Sequence, residues 1–165
     1  MFLSHKRLER NCFHHKYMSV RIFRENGPVH IEWHPKDASV AFSFDEPVVL
    51  GADGVLIPYT PGINKPFLGL IKKTIASTDS DYASETRVPV EVGNENTEYL
   101  ITASTTAAAA TDVGEFVDYV EATVSVNVGV STEDDFYVTQ VISTVLVVGR
   151  FVRRTEANNL QTAFT

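Results

Sequence analysis

Two histidines, His30 and His34, lie four residues apart in the segment HIEWH, a spacing that on a helix would suit two ligands of one metal ion. The segment VHIEW (29–33) is, however, a short β-branched and aromatic run, which is typical of a strand. On a strand the two imidazoles share a face but lie about 13 Å apart, too far to hold one ion without a third element. We therefore expect surface histidines rather than a metal site.

The N-terminal segment SHKRLERNCFHHK (4–16) gathers the other groups that could bind a metal, namely Cys12, His14 and His15 with His5 nearby. The segment lacks the paired Cys-x2-Cys spacing that marks zinc sites, so we predict no metal there. Cys12 is the only cysteine, which excludes an internal disulfide framework. We predict no cofactor.

Two acidic segments could supply carboxylates for chemistry. Asp79 and Asp81 resemble the first two ligands of a calcium loop, but Ala83 stands in the third position and no glycine follows. The segment STEDDF (131–136) clusters three carboxylates, which could do acid–base work if their environment raised a pKa. We expect 131–136 to be a solvated turn between strands, where nothing raises the pKa of these groups.

The familiar enzyme motifs are missing from the sequence. It contains no Gly-rich phosphate loop, no Gly-x-Ser-x-Gly nucleophile elbow and no HExxH zinc motif. We therefore predict a non-enzymatic protein with no small-molecule substrate.

The formal charge is distributed unevenly along the 165 residues. Residues 1–25 hold six basic and two acidic side chains, a charge of +4, whereas the remaining 140 residues hold 8 basic and 19 acidic side chains, a charge of −11. This separation predicts a basic extended N-terminal arm over residues 1–28 that docks on something negative, the alternative being a solvated terminus. Nucleic acid is an unlikely partner, because the acidic body would repel its phosphates.

The body of the chain has a period near two. In ATVSVNVGV the residues Val124, Val126, Val128 and Val130 alternate with polar ones or glycine, which predicts a strand with the four valines on its buried face. Further strands are predicted at 29–33, 39–43, 69–75, 87–92 and 98–103. Two hairpins are predicted, one around Gly51–Gly54 and one over 136–152 with its hinge at Ser143–Thr144.

These elements predict an all-β fold, a small β-barrel, β-tulip or sandwich of eight to ten strands with an extended N-terminal arm. Residues 29–165 form a single domain, with a mobile loop at 102–114 and a polar C-terminal tail at 153–165. With 44% hydrophobic residues the chain can bury a core. We expect no membrane span and no secretory signal, since the longest apolar runs are short.

Two passages resemble the capsid decoration, or cement, proteins of tailed bacteriophages. The first is GADGVLIPYTPGINKPFLGLIKKTIASTDSDYASETRVPVEV (51–92), with a hairpin, an acidic TDSDYA turn and a VPVEV strand. The second is FYVTQVISTVLVVGRFV (136–152), which resembles the closing hairpin of that group, preceded by TDVGEFVDYVEATVSVN as an inserted segment. The resemblance covers about residues 45–152, and it lies in strands and turns rather than in a catalytic signature.

The resemblance implies a structural virion protein, made in the host cytoplasm, that binds the outside of an icosahedral phage head and bridges major capsid subunits. It also implies a homotrimer. The arm would then grip the shell through basic side chains and apolar anchors, by ion pairs or by strand addition. The predicted capsid-binding residues are Phe2, Lys6, Arg7, Arg10, Phe13, Lys16, Tyr17, Arg21 and Arg24.

Residues 1–44 depart from this family, since the leader is longer and more basic than in its compact members. Two other functions stay open on the sequence alone. One is another phage virion component, such as a head fibre base or a tail protein. The other is a ligand- or carbohydrate-binding β-sandwich, for which a cluster of exposed aromatic residues is expected.

Overall fold

The predicted all-β class is confirmed by the computed structural model, which describes residues 20–24, 30–63, 65–94, 96–104 and 107–152. These ranges contain eleven strands and two single-turn 3₁₀ helices, Ala110–Asp112 and Glu121–Thr123. The strands are β1 (Arg21–Arg24), β2 (His30–Pro35), β3 (Pro47–Leu50), β4 (Leu56–Pro58), β5 (Phe67–Ile71), β6 (Arg87–Val92), β7 (Glu98–Ala103), β8 (Phe116–Val120), β9 (Ser125–Asn127), β10 (Phe136–Ser143) and β11 (Leu146–Phe151).

Five of the strands close into a barrel in the order β7, β11, β10, β8 and β9. The neighbours are antiparallel except at the closure, where β9 pairs with β7 in parallel at Thr102 and Ala103. Closure removes the free sheet edges that an open sheet would leave. The predicted hairpin over 136–152 is confirmed as β10 and β11, which turn at Thr144 and Val145.

Part of the predicted arm belongs to the barrel wall. β1 pairs antiparallel with Glu98 to Leu100 of β7, on the same edge of β7 that β9 occupies further along. Val20, just before β1, is completely buried in the core. The prediction that the arm extends to residue 28 is therefore wrong for residues 20–24, because β7 is longer than β9 and its free backbone groups accept a further strand.

The other five strands form a second, antiparallel sheet in the order β2, β6, β5, β3 and β4. Its hairpin β3–β4 turns at 51–54, as predicted, with Gly54 at a φ of 80°. Lys36, just after β2, makes an isolated parallel bridge to Leu56 of β4, so the sheet curls until its two ends approach.

The second sheet lies between two apolar clusters. On one face Val49 and Leu70 pack with the barrel interior, and on the other Val48 and Ile71 pack under the connecting segments. Alternate residues of a strand point to opposite faces, which is why neighbours in sequence enter different clusters. The segment 39–43, predicted as a strand, instead covers the outer cluster and bridges Ile75 only at Phe42.

The prediction for ATVSVNVGV is only partly right. Val124 ends the second 3₁₀ helix with a left-handed φ of 47°, and the strand that follows covers only Ser125–Asn127. The left-handed residue breaks the alternation, so Val126 and Ser125 are both buried while Val130 is exposed. Strand periodicity holds only while the backbone stays extended.

The segment 102–114, predicted to be a mobile loop, begins inside β7 and includes the first 3₁₀ helix. Ala108 is buried, and its N–H donates to the Thr144 carbonyl at the β10–β11 turn. The predicted C-terminal tail, 153–165, lies outside the described residues.

A glycine allows the strands of the barrel wall to lie close together at one point. Gly149 of β11 is paired with Val138 on one side and Tyr99 on the other. A Cβ at this position would collide with the Tyr137 carbonyl oxygen and the Phe136 ring. Relief would require movement of the β10 backbone, because a carbonyl cannot rotate away as a side-chain end can.

We therefore expect Gly149→Ala to lower the free energy of unfolding by about 1–3 kcal/mol, the range for overpacking a core. The exposed turn substitution Val145→Ala is the matched control and should change it by no more than about 0.5 kcal/mol. Urea denaturation followed by tryptophan fluorescence measures both. Equal stability of the two variants would show that the wall tolerates the extra methyl group.

Candidate functional site

Seven of the nine predicted capsid-binding residues lie outside the described residues: Phe2, Lys6, Arg7, Arg10, Phe13, Lys16 and Tyr17. The other two, Arg21 and Arg24, are the first and last residues of β1. The backbone of both is fixed to β7, so only their side chains are available to a partner.

Arg24 already has partners in the barrel. Its guanidinium donates to the Glu98 carboxylate at 3.1 Å and to the Gln140 side-chain oxygen at 3.2 Å, and it lies over the Phe23 ring. The Glu98 side chain is 10% exposed whereas that of Arg24 is 54% exposed. Arg24 therefore neutralises a shielded carboxylate of β7 and holds β1 in place, so its predicted role in partner binding would compete with this contact.

The two histidines of the HIEWH segment contact the same carboxylate. Glu32 lies between them on one face of β2, and it accepts from His30 Nε2 at 2.5 Å and from His34 Nε2 at 2.9 Å. Hydrogen bonds from His30 and then His34 hold the pKa of the Glu32 carboxyl below its ordinary value. This His–Glu–His row lies on a strand that forms one edge of the second sheet.

The opposite face of β2 carries exposed apolar side chains. Ile31 is 50% exposed and Trp33 is 55% exposed. Their cross-strand neighbours on β6 are Glu91 and Pro89. On the other side of Glu91, its partner in β5 is Leu70, which lies on the same face of the sheet and is fully buried against the barrel. The barrel therefore covers this face at β5 and leaves it uncovered at β2. The edge of the second sheet thus projects past the barrel.

An ion network borders this apolar face. Lys72 donates to Asp45 Oδ1 at 2.7 Å and pairs with Glu91 Oε2 at 2.8 Å, and its ammonium lies over the ring of Phe44, which is 55% exposed. Burial alone would lower the pKa of Lys72, but the hydrogen bonds from its ammonium to Asp45 and Glu91 outweigh this and raise it. The network keeps the border of the surface polar and its charges paired.

The acidic turn 131–136 is solvated only at its start, where Ser131 and Thr132 are exposed, so the prediction is wrong for Asp134 and Asp135. Asp134 and Asp135 are buried, at 8% and 2% exposure. Asp135 Oδ1 accepts from the Tyr59 hydroxyl at 3.1 Å and from the Gly62 N–H at 3.0 Å, and its Oδ2 accepts from the Tyr119 N–H at 3.3 Å. These four residues, which we call the Asp135 joint, connect the segment after β4 to the barrel.

Two further features hold the Asp135 joint together. Gly62 has a φ of 70°, a backbone conformation that other L-residues rarely adopt, so glycine is favoured at this position. The carboxylate of Asp118 in β8 accepts from the N–H groups of Glu133 and Asp134 at 2.7 and 3.1 Å, which anchors the turn. The Asp118 and Asp135 carboxylates therefore fix the turn and connect it to the strands and loop around it.

Burial raises the pKa of the Asp135 carboxyl above its ordinary value, against the opposing effect of the three hydrogen bonds it accepts. The folded state therefore keeps this proton to a higher pH than the unfolded chain does. The resulting stabilisation is complete below about pH 3.8 and is lost as the pH rises through the folded-state pKa.

We expect Asp135→Asn to remove this part of the pH dependence. An amide does not titrate, so the free energy of unfolding of the wild-type chain, measured relative to the variant, should fall as the pH rises from about 4 towards 7. Urea denaturation at a series of pH values provides the test. A difference between the two chains that stays constant over this range would contradict the prediction.

The described ranges contain no group of three or more His, Cys, Asp or Glu side chains arranged to hold a metal ion. Their helices are single turns, none of which has the length to cross a membrane. Cys12 and the histidines near it lie outside these ranges.

The sequence signals identified β2 but missed its uncovered face. Alternation in HIEWH indicates one apolar and one polar face, which would ordinarily mean that Ile31 and Trp33 are buried. Their exposure depends on how far the sheet extends past the barrel, which no local pattern encodes. The Asp135 joint has no sequence signal either, since Gly62 and Asp135 are 73 residues apart.

Comparison with protein-family models, with curated proteins and with solved structures gives no significant match.

Proposed function

We propose that this chain is a non-enzymatic structural protein of a phage virion, which binds the outer surface of an icosahedral head and stabilises it by bridging major capsid subunits. Its place would be the capsid exterior, after synthesis in the host cytoplasm. The proposal rests on the resemblance of residues 45–152 to decoration proteins and on the way the basic N-terminal segment is attached to the barrel.

The attachment is the observation that carries the proposal. Residues 1–19 hold four basic side chains and one acidic one, and they lead directly into Val20 and β1. Val20 is buried in the barrel core and β1 is hydrogen-bonded to β7. A force on the segment would therefore be borne by the barrel, which suits a protein that holds a pressurised shell together.

The charge distribution supports the same role. Exposed ion pairs contribute at most about 1 kcal/mol each, so one basic segment alone would bind a shell weakly. Three segments on a homotrimer, the assembly that the resemblance implies, would raise the avidity by about 10²-fold or more through effective concentration. Such binding should weaken with added salt, because exposed charges are screened.

The structure determines where a truncation should end. A deletion of residues 1–24 would remove Val20 and β1 and expose the edge of β7, so a loss of binding could reflect a damaged barrel. A deletion of residues 1–19 removes only residues that precede the buried Val20. A full-length variant with Lys6, Arg7, Arg10 and Lys16 changed to serine tests the charges alone.

We expect the full chain to co-sediment saturably with empty shells of the major capsid protein from the same genome, and the chain without residues 1–19 to stay in the supernatant. The serine variant should bind at least about tenfold more weakly, since it loses four ion-pairing groups. Lys65→Ser with Lys73→Ser is the control for loss of charge on the body and should bind like wild type.

Thermal unfolding of each variant separates binding from folding. All variants should unfold at the same temperature as wild type to within a few degrees. Undiminished binding by the shortened chain would overturn the role of the segment. A full chain that never co-sediments would overturn the capsid proposal and favour a tail or ligand-binding function.

A further inference from the structure

We propose that β2 is a self-association edge, at which two copies of the chain pair their β2 strands antiparallel about a two-fold axis through Ile31. The two second sheets would then form one continuous sheet. This contact joins copies of the chain to each other, is separate from the three-fold contact that the resemblance implies, and does not depend on shell binding. It is carried by the backbone, by the order of side chains in β2 and by the exposed apolar face.

The backbone groups of alternate β2 residues point away from the molecule. Lys36 donates its N–H to Thr86 on the β6 side, at 3.0 Å. In an antiparallel ladder, residues whose backbone groups point to the neighbouring strand alternate with residues whose backbone groups point away. The N–H and C=O groups of His34, Glu32 and His30 therefore also point to β6, and those of Ile31 point outward. In the described part of the chain, the strand hydrogen-bonded to β2 is β6, and β4 meets the outer edge only beyond β2, at the isolated bridge between Lys36 and Leu56.

The free edge is short, which limits what can pair with it. Pro35 occupies an outward-pointing position and has no N–H to offer. The Trp33 carbonyl, also outward, accepts a hydrogen bond from the Arg87 guanidinium. Among the described residues of this edge, Ile31 is the outward position at which both the N–H and the carbonyl are open to an incoming strand, and pairing centred there leaves the Pro35 end outside the contact.

The side chains of β2 complement a second copy in this register. A two-fold axis at Ile31 places Ile31 opposite Ile31 of the second copy and His30 opposite Glu32 of the second copy. Each contact then contains two His–Glu pairs related by the axis. An imidazole directly across two strands from a carboxylate can hydrogen-bond to it, whereas two carboxylates repel each other, so this register is preferred over one that sets Glu32 against Glu32.

The apolar face supports the same arrangement. Paired residues of neighbouring strands lie on the same face of a sheet, so Ile31 and Trp33 of both copies would form one apolar strip. These residues are 50% and 55% exposed, and they project past the barrel. A second copy would cover the Ile31 side chain that the barrel leaves open.

Cysteine cross-linking tests the register directly. Residues directly opposite in a hydrogen-bonded antiparallel pair have Cα atoms about 5.5 Å apart, within the range of a disulfide. In the full chain carrying Cys12→Ser, we expect Ile31→Cys to give a disulfide-linked dimer on a non-reducing denaturing gel. Ile142→Cys in the same background is the matched control, since Ile142 is 45% exposed on another strand.

A charge exchange tests the side-chain pairs. Ile31→Lys should raise the dimer dissociation constant at least about tenfold, because two lysines would meet on the axis, whereas Ile142→Lys should not. Glu32→Lys should weaken the dimer, and adding His30→Glu should restore it by recreating opposite charges across the axis. Sedimentation equilibrium measures each variant in the absence of shells.

The contact is established if Ile31→Cys cross-links while Ile142→Cys does not, and if adding His30→Glu restores the dimer that Glu32→Lys weakens. Absence of a cross-link at Ile31→Cys, equal cross-linking at Ile142→Cys, or a chain that stays monomeric overturns it. A trimer without the residue-31 cross-link also overturns it, while leaving the shell-binding proposal to its own test.

Discussion

The contact between the barrel and the second sheet depends on one buried carboxylate. Asp135, at the start of the long β10–β11 hairpin, accepts hydrogen bonds from Tyr59 and Gly62 of the chain that leaves the second sheet. Above it the Phe151 ring of the barrel stacks on Phe67 of β5 at 4.3 Å between centroids. A buried carboxylate without these donors would be destabilising, so the burial of Asp135 requires the hydrogen bonds.

This joint determines what the rest of the molecule can present. Because it holds the β3–β5 part of the second sheet against the barrel, the β2 end is left to project beyond it, and Ile31 and Trp33 stay uncovered. Two features of the same strand limit the addition of further strands at its edge, namely Pro35, which has no N–H, and the Arg87 contact to the Trp33 carbonyl. An edge that is both restrained and apolar is suited to one defined partner rather than to aggregation.

The N-terminal part of the chain is linked to the barrel in a similar way. β7 is the longer of two parallel neighbours at the barrel closure, and β1 fills the part of its edge that β9 does not reach. Arg24 and Glu98 then form a partly shielded ion pair at the end of that ladder. The chain therefore enters the described part of the fold at a fixed position on the barrel wall, at Val20 and β1.

The sequence by itself determined the class of fold and most of the strands, including 87–92, 98–103 and both hairpins, because alternation and turn chemistry are local properties. It also determined the separation of charge along the chain. The tertiary structure alone decided which apolar faces are covered, that β1 belongs to the barrel, and that Asp135 is buried. Burial and pairing depend on residues far apart in sequence, as with Asp135 and Gly62, so no local pattern could reveal them.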